Sequence, residues 1–392
     1  MSLIKEYIDK RLSGPDLESE LQTLIARYNK YRGSYLFVYA AAIGKPIPSV
    51  SLEQSDFYMF RDMLANKDNI EHVDVYLETP GGSGETAEEI GKFLHNNFKS
   101  VSFAVSGEAK SAGTILALSG DEILMTESGS LGPIDAQVRV GRSVVSAHDY
   151  MEWVKVKQDE AAKNGSLNPF DATMVAQISP GELGMVYHSL KFAEDLVKEW
   201  LVDYKFKNWN ITETKKTPVT IDMKRKRAEE IAQELTNHTK WRSHGRSIKI
   251  GDLESIGLKV NRVDDDSHLA DILYRIQTVC GLLFDTTSIF KVFSTADSKI
   301  FRQAVPVGEP IRLPNKQATD VAEINPVCEK CGKEHKIFAK FTNNPLVDNT
   351  FKQKGFTPFP KDGKIACDCG FEIDLTGIKS QIEMQTQRKI VS

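Results

Sequence analysis

Short, nearly uninterrupted apolar runs alternate along the first part of the chain with longer segments in which apolar residues recur at helical spacing. The runs are rich in aromatic and β-branched residues, which predicts buried strands at 34–44, 72–82, 101–105 and 121–126. In residues 83–98, a serine that can cap a helix is followed by a single apolar stripe, which predicts a helix packed on a sheet. Alternation of this kind predicts parallel βα units, and therefore an α/β domain.

The patterning divides the chain into segments of different character. Up to about residue 275, amphipathic helices continue the βα rhythm, and residues 1–32 add N-terminal helices before the first strand. Residues 276–322 are rich in Pro, Ser and Thr, which predicts an extended connector. We therefore expect a domain over 1–275, a connector over 276–322, a small domain over 323–378 and a polar tail over 379–392.

Composition and charge exclude several classes of protein. With 392 residues the chain is long enough for one large and one small domain, and its net charge of −4 gives no reason to expect a nucleic-acid partner. The chain lacks the roughly 18 consecutive apolar residues that a membrane span needs. Four of the five cysteines lie near the C-terminus, so we expect no distributed disulfide framework. These features predict a cytoplasmic protein without a membrane or nucleic-acid partner.

The stretch LETPGGSGE, residues 77–85, takes the chain from a predicted strand directly into a predicted helix. The adjacent Gly81 and Gly82 permit positive φ angles and let a foreign group approach bare backbone N–H groups. A helix N-terminus aimed at the same place adds positive potential. The stretch can therefore receive a phosphate, a carboxylate or a transient oxyanion.

A second strand-to-helix turn lies in SGEAKSAGTILALSG, residues 106–120, and carries Ser111. Small neighbouring residues leave the Ser111 Oγ accessible and the Ala112 N–H free at the helix start. If the two βα units are neighbours, Gly82 and Ala112 direct two backbone donors at one point beside the Ser111 hydroxyl, as in an oxyanion hole with its nucleophile. The alternative is that Ser111 only caps its helix and the glycines only make a turn.

Four segments in this order resemble a known family. They are LETPGG, AKSAGTILALSGDEILM, GSLGPIDAQV and HGRSIKIGDLESIGLKV. Together they resemble the serine dehydrogenase proteinase family, which belongs to the Clp protease and crotonase superfamily and is related to signal peptide peptidase A. The resemblance covers roughly residues 30–265.

The resemblance implies both a fold and an activity. The fold is a Clp/crotonase-like spiral of βα units, in which Ser111 is the nucleophile and the amides of Gly82 and Ala112 form the oxyanion hole. The activity is that of a serine peptidase, which cleaves protein or peptide substrates through an acyl-enzyme. Relatives assemble into rings or stacks, so the resemblance also implies a homo-oligomer.

The chain departs from its relatives at the base that would deprotonate Ser111. Clp proteases carry a histidine on the strand after the nucleophile helix, and this chain reads LGPIDAQ there. The relationship to signal peptide peptidase A therefore implies a Ser/Lys dyad, in which burial or nearby cations must depress the lysine pKa. In HDYMEWVKVKQDEAAKNG the preferred base is Lys155, which lies among apolar residues, and Lys157 and Lys163 are alternatives. Each lysine could instead be an ordinary surface residue of a helix.

Three further residues lie close to these motifs. His244, in WRSHGRSI, is the rival base, because related enzymes place this segment near the cleft, although it could equally be a structural histidine. Asp135 either orients a base or fixes the Gly-Pro turn, and we favour the turn. Lys110 adjoins Ser111, but neighbouring side chains at a helix start diverge, so we do not assign it the proton transfer.

The C-terminal cysteines predict a metal site. NPVCEKCGKEH has the C-x2-C spacing of a zinc knuckle, whereas the cysteines of KIACDCGFE are one residue closer than usual, so His335 could replace one ligand. A segment this small and polar has little core of its own, which favours a zinc ribbon with structural Zn²⁺. The predicted ligands are Cys328, Cys331, Cys367 and Cys369, and the alternative is a set of free thiols.

Three functions remain open from the sequence. The first is a serine peptidase, which the AKSAGT segment favours. The second is a crotonase-like acyl-CoA enzyme, which shares the oxyanion hole but works by acid/base chemistry without a serine nucleophile. The third is a catalytically silent Clp-like scaffold or binding module that uses the zinc ribbon. A probe that reacts with activated serines separates the first from the other two.

Overall fold

The computed structural model describes residues 2–65, 67, 69–140, 143–304, 321–386 and 388–391. The chain divides into two units, Met1–Val305 and Pro306–Ser392. Among the described residues, every helix is too short or too polar to cross a lipid bilayer.

The first unit contains most of the secondary structure. Its helices are α1 (Leu3–Lys10), α2 (Gly14–Arg32), α3 (Gln54–Leu64), α4 (Gly84–Asn97), α5 (Ala112–Leu118), α6 (Ala147–Asn164), α7 (Pro169–Val175), α8 (Pro180–Trp200), α9 (Ile221–Thr236), α10 (His238–Trp241), α11 (Ile250–Ser255) and α12 (Ser267–Thr286). Its strands are β1 (Tyr35–Ala41), β2 (His72–Glu78), β3 (Ser100–Val105), β4 (Glu108–Ala109), β5 (Glu122–Met125), β6 (Ser130–Leu131), β7 (Gln137–Val140), β8 (Ser143–Ser146), β9 (Asn261–Arg262), β10 (Ile289–Ser294) and β11 (Lys299–Gln303).

Seven of these strands form the central sheet, in the order β11-β10-β1-β2-β3-β5-β9. Strands β1, β2, β3, β5 and β9 run parallel, whereas β10 pairs antiparallel with β1. Helices α4, α5, α8 and α9 contribute to the core on one face, and α2 and α12 to the core on the other. Both faces are covered, which explains why the parallel strands read as nearly continuous apolar runs. The predicted α/β class is confirmed.

The helix that follows the Pro-Gly-Gly turn begins as its sequence predicts. The Ser83 side chain accepts a hydrogen bond from the Thr86 N–H at 3.0 Å and so caps α4. The predicted apolar stripe of α4 is buried against the sheet; its members are Ala87, Ile90, Leu94 and Phe98. This packing holds the N-terminus of α4 at the carboxyl end of β2.

Short backbone pairings lie side by side at the carboxyl ends of the parallel strands. Leu52 pairs with Gly82, Thr79 pairs with Ala109, and Leu131 pairs with Ile248. Strands β4 and β6 complete the row, because they pair with each other. The pairings bring together five chain segments that are far apart in sequence, and the candidate site is built from these segments.

The structure differs from the predicted connector over residues 276–304. Helix α12 continues to Thr286, and β10 and β11 extend the central sheet beyond β1. The Ser- and Thr-rich stretch is the turn between two antiparallel strands, where the Thr295 N–H donates to the Ser298 carbonyl at 2.8 Å. The polar residues of a turn between two short strands have the same composition as a linker, which explains the difference from the prediction. The rest of the predicted connector falls largely on residues 305–320, which lie outside the described residues.

The second unit has its own small core. Its elements are β12 (Val321–Ile324), β13 (Ile337–Lys340), α13 (Pro345–Gln353), β14 (Thr357–Pro358), β15 (Lys364–Ala366), β16 (Glu372–Asp374) and α14 (Thr376–Thr386). The core contains Ile337, Ala339, Phe359, Leu375 and Ile390. The predicted polar tail from residue 379 thus belongs partly to the fold, because α14 runs into it and Ile390 is buried.

Candidate active site

A cleft of about 700 Å³ opens where the carboxyl ends of the parallel strands meet α8. Its walls come from residues 80–85, the start of α5, residues 134–137 and the face of α8 between Met185 and Ala193. His244 closes one side. The cleft therefore contains Ser111, Gly82, Ala112 and the rival base, whereas the three candidate lysines of α6 are absent from its lining.

Ser111 adopts an unusual backbone conformation at the N-terminus of α5. Its φ is 51° and its ψ is −115°, a region that residues other than glycine rarely occupy. Its side chain makes no capping hydrogen bond to α5, although Ser111 occupies the N-cap position. The structure thus does not support the alternative in which Ser111 serves only as a helix cap, and the hydroxyl is available to the cleft.

The Pro-Gly-Gly turn packs directly on the peptide that follows Ser111. A Cβ on Gly81 would lie 2.7 Å from both the Ser111 Cβ and the Lys110 carbonyl oxygen, and 3.3 Å from the Ala112 nitrogen. A Cβ on Gly82, whose φ is 150°, would lie 2.2 Å from the Leu52 carbonyl oxygen. Only glycine allows this approach, so the two turns predicted from the sequence meet in space.

Two backbone N–H groups at this junction have no hydrogen-bond acceptor among the described residues. Leu52 binds the carbonyl of Gly81 and the N–H of Ser83, at 2.7 and 2.9 Å, and the intervening Gly82 N–H takes no part in this pairing. Ala112 is the first residue of α5, so its N–H has no acceptor within the helix. The hydrogen bonds of the described residues occupy neither group. Two free N–H groups beside a serine hydroxyl can bind the oxyanion of a tetrahedral intermediate.

His244 lies beside a buried carboxylate. Its Nδ1 is 3.7 Å from the Asp135 Oδ2, and the side chains of the two residues are 34% and 2% exposed. Asp135 does not merely fix the Gly-Pro turn: its carboxylate accepts hydrogen bonds from the Ser146 hydroxyl and the Gln137 amide, both at 2.8 Å. These donors hold the carboxylate towards the histidine, an arrangement that can orient an imidazole and stabilise its protonated form.

The three candidate lysines of α6 are exposed or form ion pairs. Lys155 and Lys163 are exposed. Lys157 forms ion pairs with Asp171 at 2.9 Å and Glu160 at 3.0 Å, and these raise the pKa of Lys157, the opposite of what a base needs. In the described chain, only Ala147 is buried among the residues of α6. The apolar neighbours that favoured Lys155 in the sequence therefore do not enclose it.

Ser146 and Gln137 are functional candidates that the sequence analysis missed. Ser146 caps α6 by accepting from the Asp149 N–H at 3.2 Å, and its own hydroxyl donates to Asp135. The cap is visible in the sequence SAHDYMEW, because serine before a helix with an acidic first turn is a common N-terminal signal. The link from that cap to Asp135 requires the tertiary structure.

In the second unit the four C-terminal cysteines come together. Their Sγ atoms all lie within 4.8 Å of one another, and the Cys328–Cys369 and Cys331–Cys367 pairs are both 3.6 Å apart. A tetrahedral zinc with Zn–S bonds of about 2.3 Å places its sulfurs about 3.8 Å apart. The donor set therefore fits a tetrahedral metal ion, and His335 is outside this cluster.

The unusual spacing of the second cysteine pair does not prevent this arrangement. The Cys328 N–H donates to the Lys333 carbonyl, and the Cys367 N–H donates to the Phe371 carbonyl, each at 2.8 Å. Both pairs thus sit on similar tight turns. The four cysteines could bind a metal.

Comparison with known proteins gives a family match over the part of the chain that carries Ser111. Residues 43–176 match the family described as ClpP-like SDH-type serine proteinase. The uncharacterized protein MJ1495 of Methanocaldococcus jannaschii is 25% identical over 191 residues, 48% of this chain and 52% of that protein. MJ0137 of the same organism is 34% identical over 89 residues, 23% of this chain and 30% of that protein. The chain therefore spans about half the length of the first relative and less of the second.

One solved structure is similar to part of the chain. It is a mutant of the 1510-N membrane-bound stomatin-specific protease, which is 14% identical, with a TM-score of 0.34, and covers 57% of this chain and 79% of its own. The family match spans about a third of the chain and includes Gly82, Ser111, Ala112 and Asp135, but not His244 or the cysteines. The predicted resemblance is confirmed there: residues 43–176, which carry the candidate nucleophile, match the ClpP-like SDH-type serine proteinases.

Proposed function

We propose that this protein is a serine peptidase that cleaves protein or peptide substrates through an acyl-enzyme. Ser111 is the nucleophile, and the N–H groups of Gly82 and Ala112 form the oxyanion hole. The observation that carries the proposal is their convergence in one cleft, where Ser111 has a strained backbone and neither N–H group has an acceptor among the described residues. The family match over residues 43–176 supports it.

We propose His244 as the general base, oriented by Asp135. With Nδ1 towards Asp135, Nε2 is the ring nitrogen left to take the Ser111 proton. The 3.7 Å separation is longer than a hydrogen bond, and such contacts commonly tighten only when substrate binds. Lys155, the base preferred from the sequence, is exposed and outside the cleft lining, so we place it second.

The reaction then follows the geometry of the cleft. Ser111 Oγ attacks the substrate carbonyl carbon while His244 accepts its proton, and the carbonyl oxygen becomes an oxyanion held by the two N–H groups. His244 next gives the proton to the leaving amine as the C–N bond breaks, which leaves an ester on Ser111. A water molecule, deprotonated by His244, attacks that ester, and Ser111 recovers its proton as the product acid leaves.

A fluorophosphonate probe tests the proposal, because it labels only an activated serine. We expect the wild-type protein to be labelled at Ser111 and the Ser111→Ala variant to lose both labelling and peptide cleavage. Ser119→Ala is the matched control, since Ser119 lies just past the other end of α5, where its hydroxyl donates to the Leu116 carbonyl. A wild-type protein that does not react would favour the silent scaffold or the crotonase-like enzyme instead.

For the second unit we propose one structural zinc ion bound by the four cysteines. Closed coordination by four thiolates leaves no open position for catalysis, and it stabilises a segment with a small core. Clustered thiols that bind a metal rather than pair as disulfides suit a reducing compartment, so we also propose a cytoplasmic location.

We further propose that the protein is a homo-oligomer and that copies meet on the surface formed by residues 143–187. Apolar side chains are exposed along this surface; they are Val144, Val156, Phe170, Met174, Met185 and Tyr187. Helix α6 buries little of itself, yet helices in proteins are stabilised mainly by burying an apolar face. Light scattering after gel filtration should show an oligomer, and Val156→Glu with Phe170→Glu should dissociate it. A wild-type monomer at micromolar concentration would contradict the assignment.

A further inference from the structure

Lys110 is a buried lysine next to the nucleophile, and it is not part of the cleft lining. Its side chain is 7% exposed, and its Nζ has four oxygen acceptors within hydrogen-bond distance. They are the Ser130 Oγ and Leu131 carbonyl, both at 3.2 Å, the Arg246 carbonyl at 3.3 Å and the Ser247 Oγ at 2.8 Å. Its ion-pair partner Glu108 is more distant, at 4.0 Å. The ammonium is therefore satisfied mainly by neutral oxygens from two other segments.

These two segments carry the proposed base and the residue that orients it. Ser130 and Leu131 begin the stretch that leads to Asp135, and Arg246 and Ser247 closely follow His244. The backbone of Lys110 joins a third segment, because its N–H donates to the Thr79 carbonyl at 3.0 Å, just before the Pro-Gly-Gly turn. One residue thus contacts every chain segment that contributes to the proposed mechanism.

The space around the Lys110 stem is equally restricted. A Cβ on Gly132 would lie 2.9 Å from the Lys110 Cδ and 3.2 Å from its Cα, so the stem lies flat against a residue without a side chain. Burial lowers the pKa of Lys110, and the four acceptors compensate for the lost hydration of its charged form. An ammonium suits this position because it donates up to three hydrogen bonds and accepts none.

We propose that Lys110 is a positioning residue that fixes the loop carrying His244 against the Asp135 segment and the nucleophile turn. This inference rests on the proposed function, in which His244 is the base. The Leu131–Ile248 pairing and the bonds from Lys249 to Ser128 and Gly129 attach the end of the loop that is further from His244, and the bonds from Lys110 to Arg246 and Ser247 add a point of attachment nearer to it. Without this attachment, the His244 side chain would no longer be held at one position in the cleft that also contains Ser111.

The test compares Lys110→Met, which keeps the stem but removes the ammonium, with Lys110→Arg, which keeps the charge and the donors. We expect Lys110→Met to lower kcat about 10- to 100-fold with KM within about twofold, since a displacement of about 1 Å in a catalytic group has effects of this size. Lys110→Arg should regain at least about a tenth of the wild-type kcat. Lys249→Met is the matched control, because the Lys249 Nζ donates to the carbonyls of Ser128 and Gly129 from a position further from His244, and this variant should stay within about threefold.

A double variant decides whether Lys110 acts through His244. If it does, Lys110→Met should have little further effect on the residual rate of His244→Ala, whereas losses that multiply would overturn the inference. The inference would also be overturned if Lys110→Arg were folded but as inactive as Lys110→Met. That result would indicate that Lys110 itself accepts the proton, because a guanidinium cannot fill that role. Should Lys110→Met fail to fold, Ser247→Ala removes the 2.8 Å contact alone and should lower kcat about fivefold; an unchanged kcat counts against the inference. Failure of the proposed function is seen separately, as undiminished activity of Ser111→Ala or His244→Ala.

Discussion

Adding one methyl group at Gly82 tests the oxyanion hole most directly. The new Cβ would lie 2.2 Å from the Leu52 carbonyl oxygen and 2.5 Å from the Leu52 nitrogen, and both are backbone atoms that cannot rotate away. The φ of 150° is also unfavourable for alanine. We therefore expect the Gly82→Ala chain to separate from Leu52, which carries the Gly82 N–H away from its position beside Ser111.

The size of the effect follows from the contacts that are lost. Separation breaks the hydrogen bonds from the Leu52 N–H to Gly81 and from the Ser83 N–H to Leu52, each worth about 1 kcal/mol. With backbone strain of about 1 kcal/mol, the free energy of unfolding falls by about 3 kcal/mol, and the melting temperature by about 5–10 °C. Loss of one oxyanion donor lowers kcat about 100- to 1,000-fold.

The assay combines the rate of fluorophosphonate labelling with peptide cleavage and thermal melting. Gly184→Ala serves as the control: Gly184 is helical, lies outside the cleft lining and has nothing within 4 Å of its added Cβ, so activity should not change. The reasoning is refuted if Gly82→Ala is folded at the assay temperature and reacts at the wild-type rate.

Three further predictions address the base, the pH dependence and the metal. His244→Ala should lower kcat at least about 100-fold while Lys155→Ala stays within about threefold; the reverse result would restore the Ser/Lys dyad. Burial raises the pKa of Glu78 to about 7, above its unfolded value of 4.5, so its contribution to stability is complete below pH 4.5 and lost as the pH rises to about 7. In chemical denaturation, the free energy of unfolding of Glu78→Gln should fall by about 1–3 kcal/mol less than that of the wild type over this pH range. An unaltered pH profile would contradict the assignment. Metal analysis should find one zinc per chain, absent from Cys328→Ser, and a chelator should unfold the second unit while Ser111 still reacts with the probe; loss of that reactivity on zinc removal alone would argue against a purely structural metal.

Much of the fold could be predicted because its signals are local. Each signal lies within a short stretch of sequence. This holds for the apolar runs that form β1, β2, β3 and β5, and for the N-cap and apolar stripe of α4. The two-unit division was also predictable, although its boundary was not. Residues 289–303 have the composition of a linker, and only pairing of β10 with β1 makes them part of the sheet.

The sequence by itself determined the parts of the site whose geometry is set by neighbouring residues. Gly81, Gly82 and Ser111 lie in strand-to-helix turns, and such turns dictate where their own N–H groups and side chains point. The cysteine pairs were equally visible, since each pair is held on one tight turn. The structure places the two turns in contact, as the parallel strands predict.

Only the tertiary structure decided which base candidate reaches the cleft. Lys155 has the more apolar sequence neighbours, but α6 leaves it exposed, whereas His244 lies 109 positions after Asp135 and still comes within 3.7 Å of it. The segments that carry the two residues are paired at Leu131 and Ile248, and Lys110 contacts both of them. Local sequence sets backbone conformation and helix faces, but a contact between distant segments depends on how whole elements pack. The family resemblance of the His244 segment therefore made it a candidate, but the residues around it did not show that it reaches Asp135.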